Sequence, residues 1–303
     1  LTDRVSVMRQ GRMVAHLDTA STSREELAEL MVGRKVLLRV ERPEVAEGAA
    51  ALRVTGLRYA DRDGVERLKG LDFEIRAGEI LAVAGVSGNG QSELLDVLAG
   101  IRAPSAGAIE IGNVVIDAAH PKTPAEMRDL GLSHVPEDRH HRGLVLPFDG
   151  EENCILGFQD GPAAGAGFAL DLQHIAARAA RHVKEFDVRP PTAKLRASQY
   201  SGGNQQKLVL AREIDAAPKV LLVGQPTRGV DIGAIEFIYR RLMAMKAQGC
   251  AILLVSVELE EVMSLADRIL VMSNGEQTGL LDREEADERK LGLLMAGVRG
   301  EAA

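Results

Sequence analysis

Two glycine-rich stretches of this 303-residue sequence carry residue types that can hold an anion. In the first, Gly85-Val86-Ser87-Gly88-Asn89-Gly90-Gln91-Ser92 follows the apolar run Ile80-Leu81-Ala82-Val83-Ala84 and opens into Glu93-Leu94-Leu95-Asp96-Val97-Leu98. Strand, glycine loop and helix is the layout of a phosphate-binding loop. Glycines let backbone N–H groups converge on an anion, and the new helix adds the positive end of its dipole. Such a loop ordinarily places a lysine before its Ser/Thr, but Gln91 stands there, so the shape of a nucleotide site is kept without its main point charge. In the second stretch, Tyr200-Ser201-Gly202-Gly203-Asn204-Gln205-Gln206-Lys207 leads into the helical run Leu208-Val209-Leu210-Ala211-Arg212. A serine before two glycines at a helix start can offer its hydroxyl and several N–H groups to a phosphate, or serve as an ordinary N-cap. Its place about a hundred residues after the first loop, and before a buried strand, favours the phosphate reading.

The elements that must position these stretches are legible from periodicity. Leu52-Arg53-Val54 and Leu71-Asp72-Phe73-Glu74-Ile75 alternate apolar and polar, as half-buried strands do. Ala108-Ile109-Glu110-Ile111 and Val114-Val115-Ile116 read as short strands behind the loop helix. Two continuously apolar runs, Val220-Leu221-Leu222-Val223 and Ala251-Ile252-Leu253-Leu254-Val255, predict parallel strands covered on both faces by helices. A charged turn, Pro136-Glu137-Asp138-Arg139-His140-His141-Arg142-Gly143, precedes a helical section. There Leu172, Ile175, Ala179, Val183 and Phe186 share one face, with Arg178, Arg181 and Lys184 expected opposite. The loop Gly161-Pro162-Ala163-Ala164-Gly165-Ala166-Gly167 lies inside that section and has a mobile composition. The fold class expected is α/β, a P-loop NTPase with a β-rich N-terminal part and an inserted helical subdomain.

Composition narrows the class. A hydrophobic fraction of 46% supports a sizeable core, and no run reaches the roughly 20 apolar residues of a membrane helix. The first residues do not read as a signal peptide. A net charge of −7 argues against a nucleic-acid surface, and Cys154 and Cys250 lack metal or redox spacing and read as packing thiols. The chain starts in mid-pattern. Leu1-Thr2-Asp3-Arg4-Val5-Ser6-Val7-Met8-Arg9-Gln10-Gly11 is nearly repeated as Leu265-Ala266-Asp267-Arg268-Ile269-Leu270-Val271-Met272-Ser273-Asn274-Gly275, at a constant offset of 264 residues. Leu27, Leu30, Met31 and Gly33 match Leu291, Leu294, Met295 and Gly297 at the same offset. The repeat predicts that residues 1–40 are the tail of a preceding copy, that 41–50 are a linker, and that 51–303 form one whole domain with its helical subdomain near 144–215.

The order of P-loop, Ser-Gly-Gly-Asn-Gln-Gln-Lys, apolar strand and Pro226-Thr227-Arg228-Gly229-Val230-Asp231 resembles an ABC-type ATPase domain. The stretches Gly90-Gln91-Ser92-Glu93-Leu94, Pro136-Glu137-Asp138-Arg139, Gly143-Leu144-Val145-Leu146 and Gln225-Pro226-Thr227-Arg228-Gly229 are similar to the second, degenerate domain of two-domain importers for simple sugars and nucleosides. Met31-Val32-Gly33-Arg34 resembles the end of their first domain. Within that resemblance five positions depart from an active site. Gln91 replaces the lysine, Gly224 the metal-supporting aspartate, Gln225 the glutamate base, Val257 the phosphate-sensing histidine, and Glu137 the metal-contacting glutamine. An amide cannot accept a proton from an attacking water.

The resemblance implies ATP and Mg²⁺ as cofactors, held weakly or not at all here. Gly85, Ser87, Gly88, Asn89, Gly90, Gln91 and Ser92 would touch the phosphates, and Ser92 and Glu137 the metal. Tyr59 is expected either to stack on adenine or to be a core tyrosine. His140 and His141 are expected to be solvated rather than ligands. Ser201, Gly202, Gly203, Asn204 and Gln205 would complete the site of a partner ABC domain on the same full-length chain. Asp231 would lie across the seam or cap a helix. Implied partners are transporter membrane subunits and, indirectly, a periplasmic or lipid-anchored substrate-binding protein. The place implied is the cytoplasmic face of the membrane. The alternative function is a pseudo-ATPase scaffold that powers nothing.

Overall fold

The computed structural model describes residues 2–9, 11–33, 42, 45, 48–165 and 169–298. Most of the expected linker, together with Arg34, Ala166 and Gly167 of the expected motifs, lies outside the described residues. The chain begins with a hairpin, β1 (Arg4–Arg9) and β2 (Arg12–Asp18), and a helix, α1 (Arg24–Val32). An antiparallel sheet follows, built from β3 (Ala50–Ala60), β4 (Glu66–Arg76), β6 (Ala106–Ile111) and β7 (Val114–Asp117) in the order β4-β3-β6-β7. Between them in sequence stand β5 (Ile80–Ala84) and the loop helix α2 (Gln91–Leu98).

The second half contributes α3 (Pro124–Asp129), β8 (Leu132–Val135), α4 (Gly150–Cys154), α5 (Leu172–Glu185) and α6 (Gly202–Asp215). Then come β9 (Val220–Gly224), α7 (Ile232–Ala247), β10 (Ala251–Val255), α8 (Leu259–Leu265), β11 (Arg268–Ser273), β12 (Glu276–Asp282) and α9 (Glu288–Met295). The main sheet runs β12-β11-β5-β10-β9-β8, with only the β11–β12 pair antiparallel. All residues of β5, β9 and β10 are buried, as their unbroken apolar runs require. Period-two alternation divides them between two cores. Ile80, Ala82, Ala84, Leu221 and Val223 face the helical side, and Leu81, Val83, Val220 and Leu222 face the β-rich side. The sheet is thus a middle layer, and the loop after β5 emerges beside the ends of β9 and β10.

The helical section matches its pattern with two corrections. Ile175, Ala179, Val183 and Phe186 are buried, but Leu172, in the first turn of α5, is 73% exposed. Arg178, expected on the polar face, is buried beside the Asp215 carboxylate at 2.9 Å. Asp215 also meets Arg181 at 2.8 Å and His182 at 3.1 Å. The hydrogen bond from His182 foremost, with the Arg181 and Arg178 guanidinia, holds its carboxyl far below the ordinary carboxylate range. Both cysteines are buried free thiols, and burial pushes Cys154 up to about 11 and Cys250 up to about 12.

The repeat has a structural counterpart. Arg4 pairs with Asp18 and Met8 with Met13, with a register shift after Val7. Arg268 pairs with Asp282 and Met272 with Gln277, with the same shift after Val271. Gly11 and Gly275 have φ of 76° and 79°, and Gly33 and Gly297 have 84° and 82°, the left-handed region that favours glycine.

Candidate functional site

The loop between β5 and α2 is closed on itself by Gln91. Its side chain is buried, with Oε1 accepting from the Asn89 N–H at 3.1 Å and Nε2 donating to the Val86 carbonyl at 3.1 Å. Gly85 faces that amide, and a Cβ there would run into Gln91 Nε2. Asn89 anchors the loop to the β11–β12 turn, since its Oδ1 accepts from Asn274 N at 3.0 Å and its carbonyl from Gly275 N at 3.0 Å. Ser87, Gly88 and Ser92 are exposed, and Gly90 caps α2 with φ 102°. The cradle therefore presents open positions on its outer rim while Gln91 fills its throat.

On the metal side, Ser92 Oγ donates to Glu137 Oε2 at 2.5 Å. The carboxylate reaches there because Gly224 has no side chain. A Cβ on Gly224 would meet Glu137 Cγ at 2.5 Å, the Glu137 N at 2.9 Å and Leu95 Cδ1 at 2.9 Å. The absence of a side chain at the end of β9 thus leaves room for a carboxylate from the turn after β8. Gln225 follows with φ 47°, its N–H bonded to the Val255 carbonyl at 2.8 Å and its Oε1 accepting from Val257 N at 3.4 Å. Neither Gln225 nor Val257 carries a base.

These residues line a cavity of about 720 Å³, shared by Ser87, Gly88, Gln91, Ser92, Glu137, Gln225 and Val257. Its far wall is acidic, with Glu258, Glu260 and Glu261 facing Thr227, Arg228 and Tyr239. Glu261 is buried, and neither of its oxygens has a partner in hydrogen-bond geometry. Burial pushes its carboxyl up to about 7, against the smaller opposing effect of the nearby Ser256, Thr227 and Tyr239 hydroxyls. Nothing in the periodicity of residues 258–261 pointed to that wall. Its only sequence signal is a run of three glutamates within four residues.

The serine–glycine element stands at the start of α6. Ser201 is exposed, makes no side-chain cap, and accepts from Asn204 Nδ2 at 2.8 Å. Asn204 Oδ1 accepts from Arg189 N at 2.8 Å, so its amide is held from both ends. Gln205 is buried, with Nε2 donating to the Ala197 carbonyl at 2.9 Å. Asp231 caps α7 by accepting from Ala234 N at 3.0 Å, and it lies against Gly203. Of the two expected nucleotide elements, the first brings Ser87, Gly88, Gln91 and Ser92 to the cavity but not Gly85, Asn89 or Gly90, and residues 201–205 do not line it.

Tyr59 departs from the expectation of a free adenine platform. It is buried in β3, its hydroxyl is bonded to Arg102 at 2.6 Å, and the Arg102 guanidinium lies 5.4 Å from its ring centre. Arg102 in turn pairs with Asp96 at 2.7 Å, so the ring is fixed by core packing and a charge network. Its role is that of the core tyrosine. His140 departs more mildly. It is exposed, but its Nε2 lies 2.8 Å from Gln205 Oε1.

Residues 68–228 match the ABC transporter family. The chain belongs to it. Among curated proteins it is 41% identical over 298 residues to the guanosine import ATP-binding protein NupO of Bacillus subtilis, covering 98% of this chain and 58% of that one. It is 40% identical to the nucleoside import ATP-binding protein NupA of Lactococcus lactis, with the same coverage, and 35% identical to a ribose import ATP-binding protein of Clostridium tetani, covering 96% and 56%. The chain spans a little more than half the length of these relatives. The fold is that of solved ATP-binding cassettes. One from an ABC transporter aligns with a TM-score of 0.68 at 20% identity, covering 81% of this chain and 98% of that one. A dimeric cassette in a post-hydrolysis state with ADP and Pi aligns with a TM-score of 0.65 at 20% identity, covering 77% and 98%. This ABC domain therefore has the expected α/β P-loop fold. Among its described residues no helix is long and apolar enough to cross a membrane.

Proposed function

We propose that this chain is the second, degenerate ATP-binding domain of a two-domain ABC importer for a simple sugar or nucleoside. Its role is to complete a partner domain's ATP site with residues 201–204 rather than to hydrolyse ATP itself. The observation that carries this reading is the contrast between its two nucleotide elements. The loop's throat is filled by Gln91, and no lysine, aspartate, glutamate base or histidine stands at positions 91, 224, 225 and 257. Ser201 meanwhile stays exposed and oriented by Asn204. Losing one stabilising donor costs roughly 10²–10³ in rate, and losing the base costs roughly 10²–10⁴.

The residues present fit a weakly held Mg-nucleotide. Ser92 and Glu137 would hold the metal, and the loop amides the phosphates once Gln91 moves aside. The metal would supply charge neutralisation between phosphate groups. Glu258 and Glu260 in the cavity lining, the latter paired with Arg24 at 3.0 Å, disfavour a bare polyphosphate, which supports weak binding.

The reading of residues 1–40 as the tail of a preceding domain rests on the matched hairpins. Among the described residues β1 pairs only with β2, whereas β11 pairs with both β12 and β5. Met8 is 60% exposed, and its counterpart Met272 is fully buried. A sheet edge and an apolar face of that kind fit a strand that belongs beside another domain's β5. Nucleoside rather than pentose cargo is supported by the higher identity to the two nucleoside-related relatives than to the ribose-related one, while a glucose import ATP-binding protein of Haloferax volcanii, 41% identical, fits hexose cargo as well. Membrane subunits, touched by the helical subdomain, and a substrate-binding protein would be the further partners, at the cytoplasmic face of the membrane. Replacing Ser201 by alanine in the intact transporter should abolish ATP turnover and uptake. Normal turnover in that variant refutes the proposal.

A further inference from the structure

The charged turn at Arg139–Gly143 makes contacts that nucleotide binding does not require. Asp138 fixes its backbone, accepting from His140 N at 2.9 Å and His141 N at 3.1 Å. On one side the turn grips the P-loop and its helix, through Glu137 to Ser92 at 2.5 Å and Arg142 to Asp96. On the other side Arg139 makes two bonds with different elements. A terminal guanidinium nitrogen donates to the Arg228 carbonyl at 2.8 Å, and Nε donates to Gln205 Oε1 at 3.3 Å. His140 Nε2 lies 2.8 Å from the same oxygen. Because Gln205 Nε2 is committed to the Ala197 carbonyl, Oε1 is the acceptor and His140 Nε2 carries the proton.

Packing reinforces the link. A Cβ on Gly202 would meet Arg139 Nη2 at 2.8 Å and the Gly229 carbonyl at 2.8 Å. A Cβ on Gly203 would meet Asp231 Oδ2 at 2.9 Å and Ala234 Cβ at 3.0 Å. The two glycines after Ser201 are therefore glycines, in this chain, because Arg139 and Asp231 press against them.

We infer that Arg139, assisted by His140, is a positioning residue that fixes where residues 201–204 present Ser201 to the partner domain's ATP. It ties that motif and the 226–231 loop to the P-loop side of the same domain. The inference rests on the proposed role of residues 201–204. A lysine cannot replace the arginine, since one ammonium lacks the fork that bonds Gln205 and the Arg228 carbonyl together.

The test is steady-state ATP turnover of the intact transporter carrying Arg139→Gln, Arg139→Lys, His140→Phe or, as reference, Ser201→Ala. Misplacing a phosphate-facing group by about 1 Å costs up to 10²-fold. Arg139→Gln and Arg139→Lys should each lower kcat about 10–100-fold. KM for ATP should stay within about twofold, because the partner's own loop sets it. His140→Phe should lower kcat by less, with the same unchanged KM. Full kcat in Arg139→Lys would show that charge alone suffices and would overturn the inference. So would a kcat loss matched by a parallel rise in KM and a lowered Tm, which marks general destabilisation. If Ser201→Ala is inactive and Arg139→Gln is normal, the positioning role fails while the proposed function stands. If Ser201→Ala is itself active, the proposed function fails and the inference falls with it.

Discussion

Placing an aspartate at position 224 should destabilise this domain. Gly224 ends the buried strand β9, and a Cβ there would stand 2.5 Å from Glu137 Cγ, 2.9 Å from the Glu137 N and 2.9 Å from Leu95 Cδ1. Two of these three neighbours are a backbone atom and a core methyl, which cannot swing away as a surface side chain does. Overpacking of this kind costs about 1–3 kcal/mol. Gly224→Ala carries that steric cost alone. Gly224→Asp adds a second carboxylate beside Glu137, so it should be the less stable of the two. At roughly 2–4 °C per kcal/mol for a domain of this size, Gly224→Ala should lower Tm by roughly 2–12 °C. Thermal unfolding followed by circular dichroism reads this directly. Adding Glu137→Ala to Gly224→Ala should recover part of the loss, because one of the three close contacts disappears. A Gly224→Ala protein that melts within a degree of the parent would refute the claim that Glu137 fills the space of the missing side chain.

Other expectations follow from the same geometry. Gln91→Ala frees the Asn89 N–H, and a neutral hydrogen bond is worth about 1 kcal/mol, so calorimetric titration should show roughly fivefold tighter Mg-ATP binding. No heat from the parent at millimolar ATP would remove the proposal of weak binding. On the proposed function, Gln91→Lys alone should leave phosphate release at background, since positions 224, 225 and 257 still carry no carboxylate or imidazole; measurable turnover would show that those positions matter little. Glu261 has a folded-state value of about 7 against an ordinary 4.5, so the folded protein binds the extra proton. Stability then falls as pH rises from about 4.5 through 7, by roughly 3 kcal/mol in all. Glu261→Gln should remove that fall, and urea unfolding at pH 5 and pH 8 with the same difference in both proteins would sink the assignment.

The frame of the fold was legible because it rests on continuous patterns. The apolar runs of β5, β9 and β10 must be covered on both faces, and the glycines of residues 85–90 and 202–203 mark a loop and a close approach. The repeat was legible as a constant offset, but the register shift that both hairpins share, after Val7 and after Val271, is seen only in the structure. What escaped were relations between residues far apart in sequence. Tyr59 reads first as an adenine platform, with a core tyrosine as the alternative, until Arg102 is seen bonded to it. Arg178 has the spacing of a solvated face, yet Asp215 on the neighbouring α6 draws it inside. Gly224 and Glu137 were each singled out in the sequence, but that a Cβ at 224 would collide with the Glu137 side chain is a contact that no one-dimensional pattern carries.

Gln91 also gains a physical reason beyond the loss of charge. A glycine loop shaped for phosphate holds buried amides that must find a partner when no anion is bound. Lysine has donors and no acceptor, so it cannot satisfy an N–H. Glutamine has both, and here it bonds the Asn89 N–H and the Val86 carbonyl at once. The substitution therefore stabilises the loop without ligand while removing the charge that makes ligand binding strong. A loop that keeps its shape without nucleotide can hold α2, Ser92 and Asp96 in place, and these are the residues gripped by Glu137 and Arg142 of the charged turn. The same turn grips Gln205 and the Arg228 carbonyl through Arg139. On the proposed function, a P-loop fold that holds its shape without nucleotide answers one requirement: Ser201 needs a rigid base from which to face another domain's ATP.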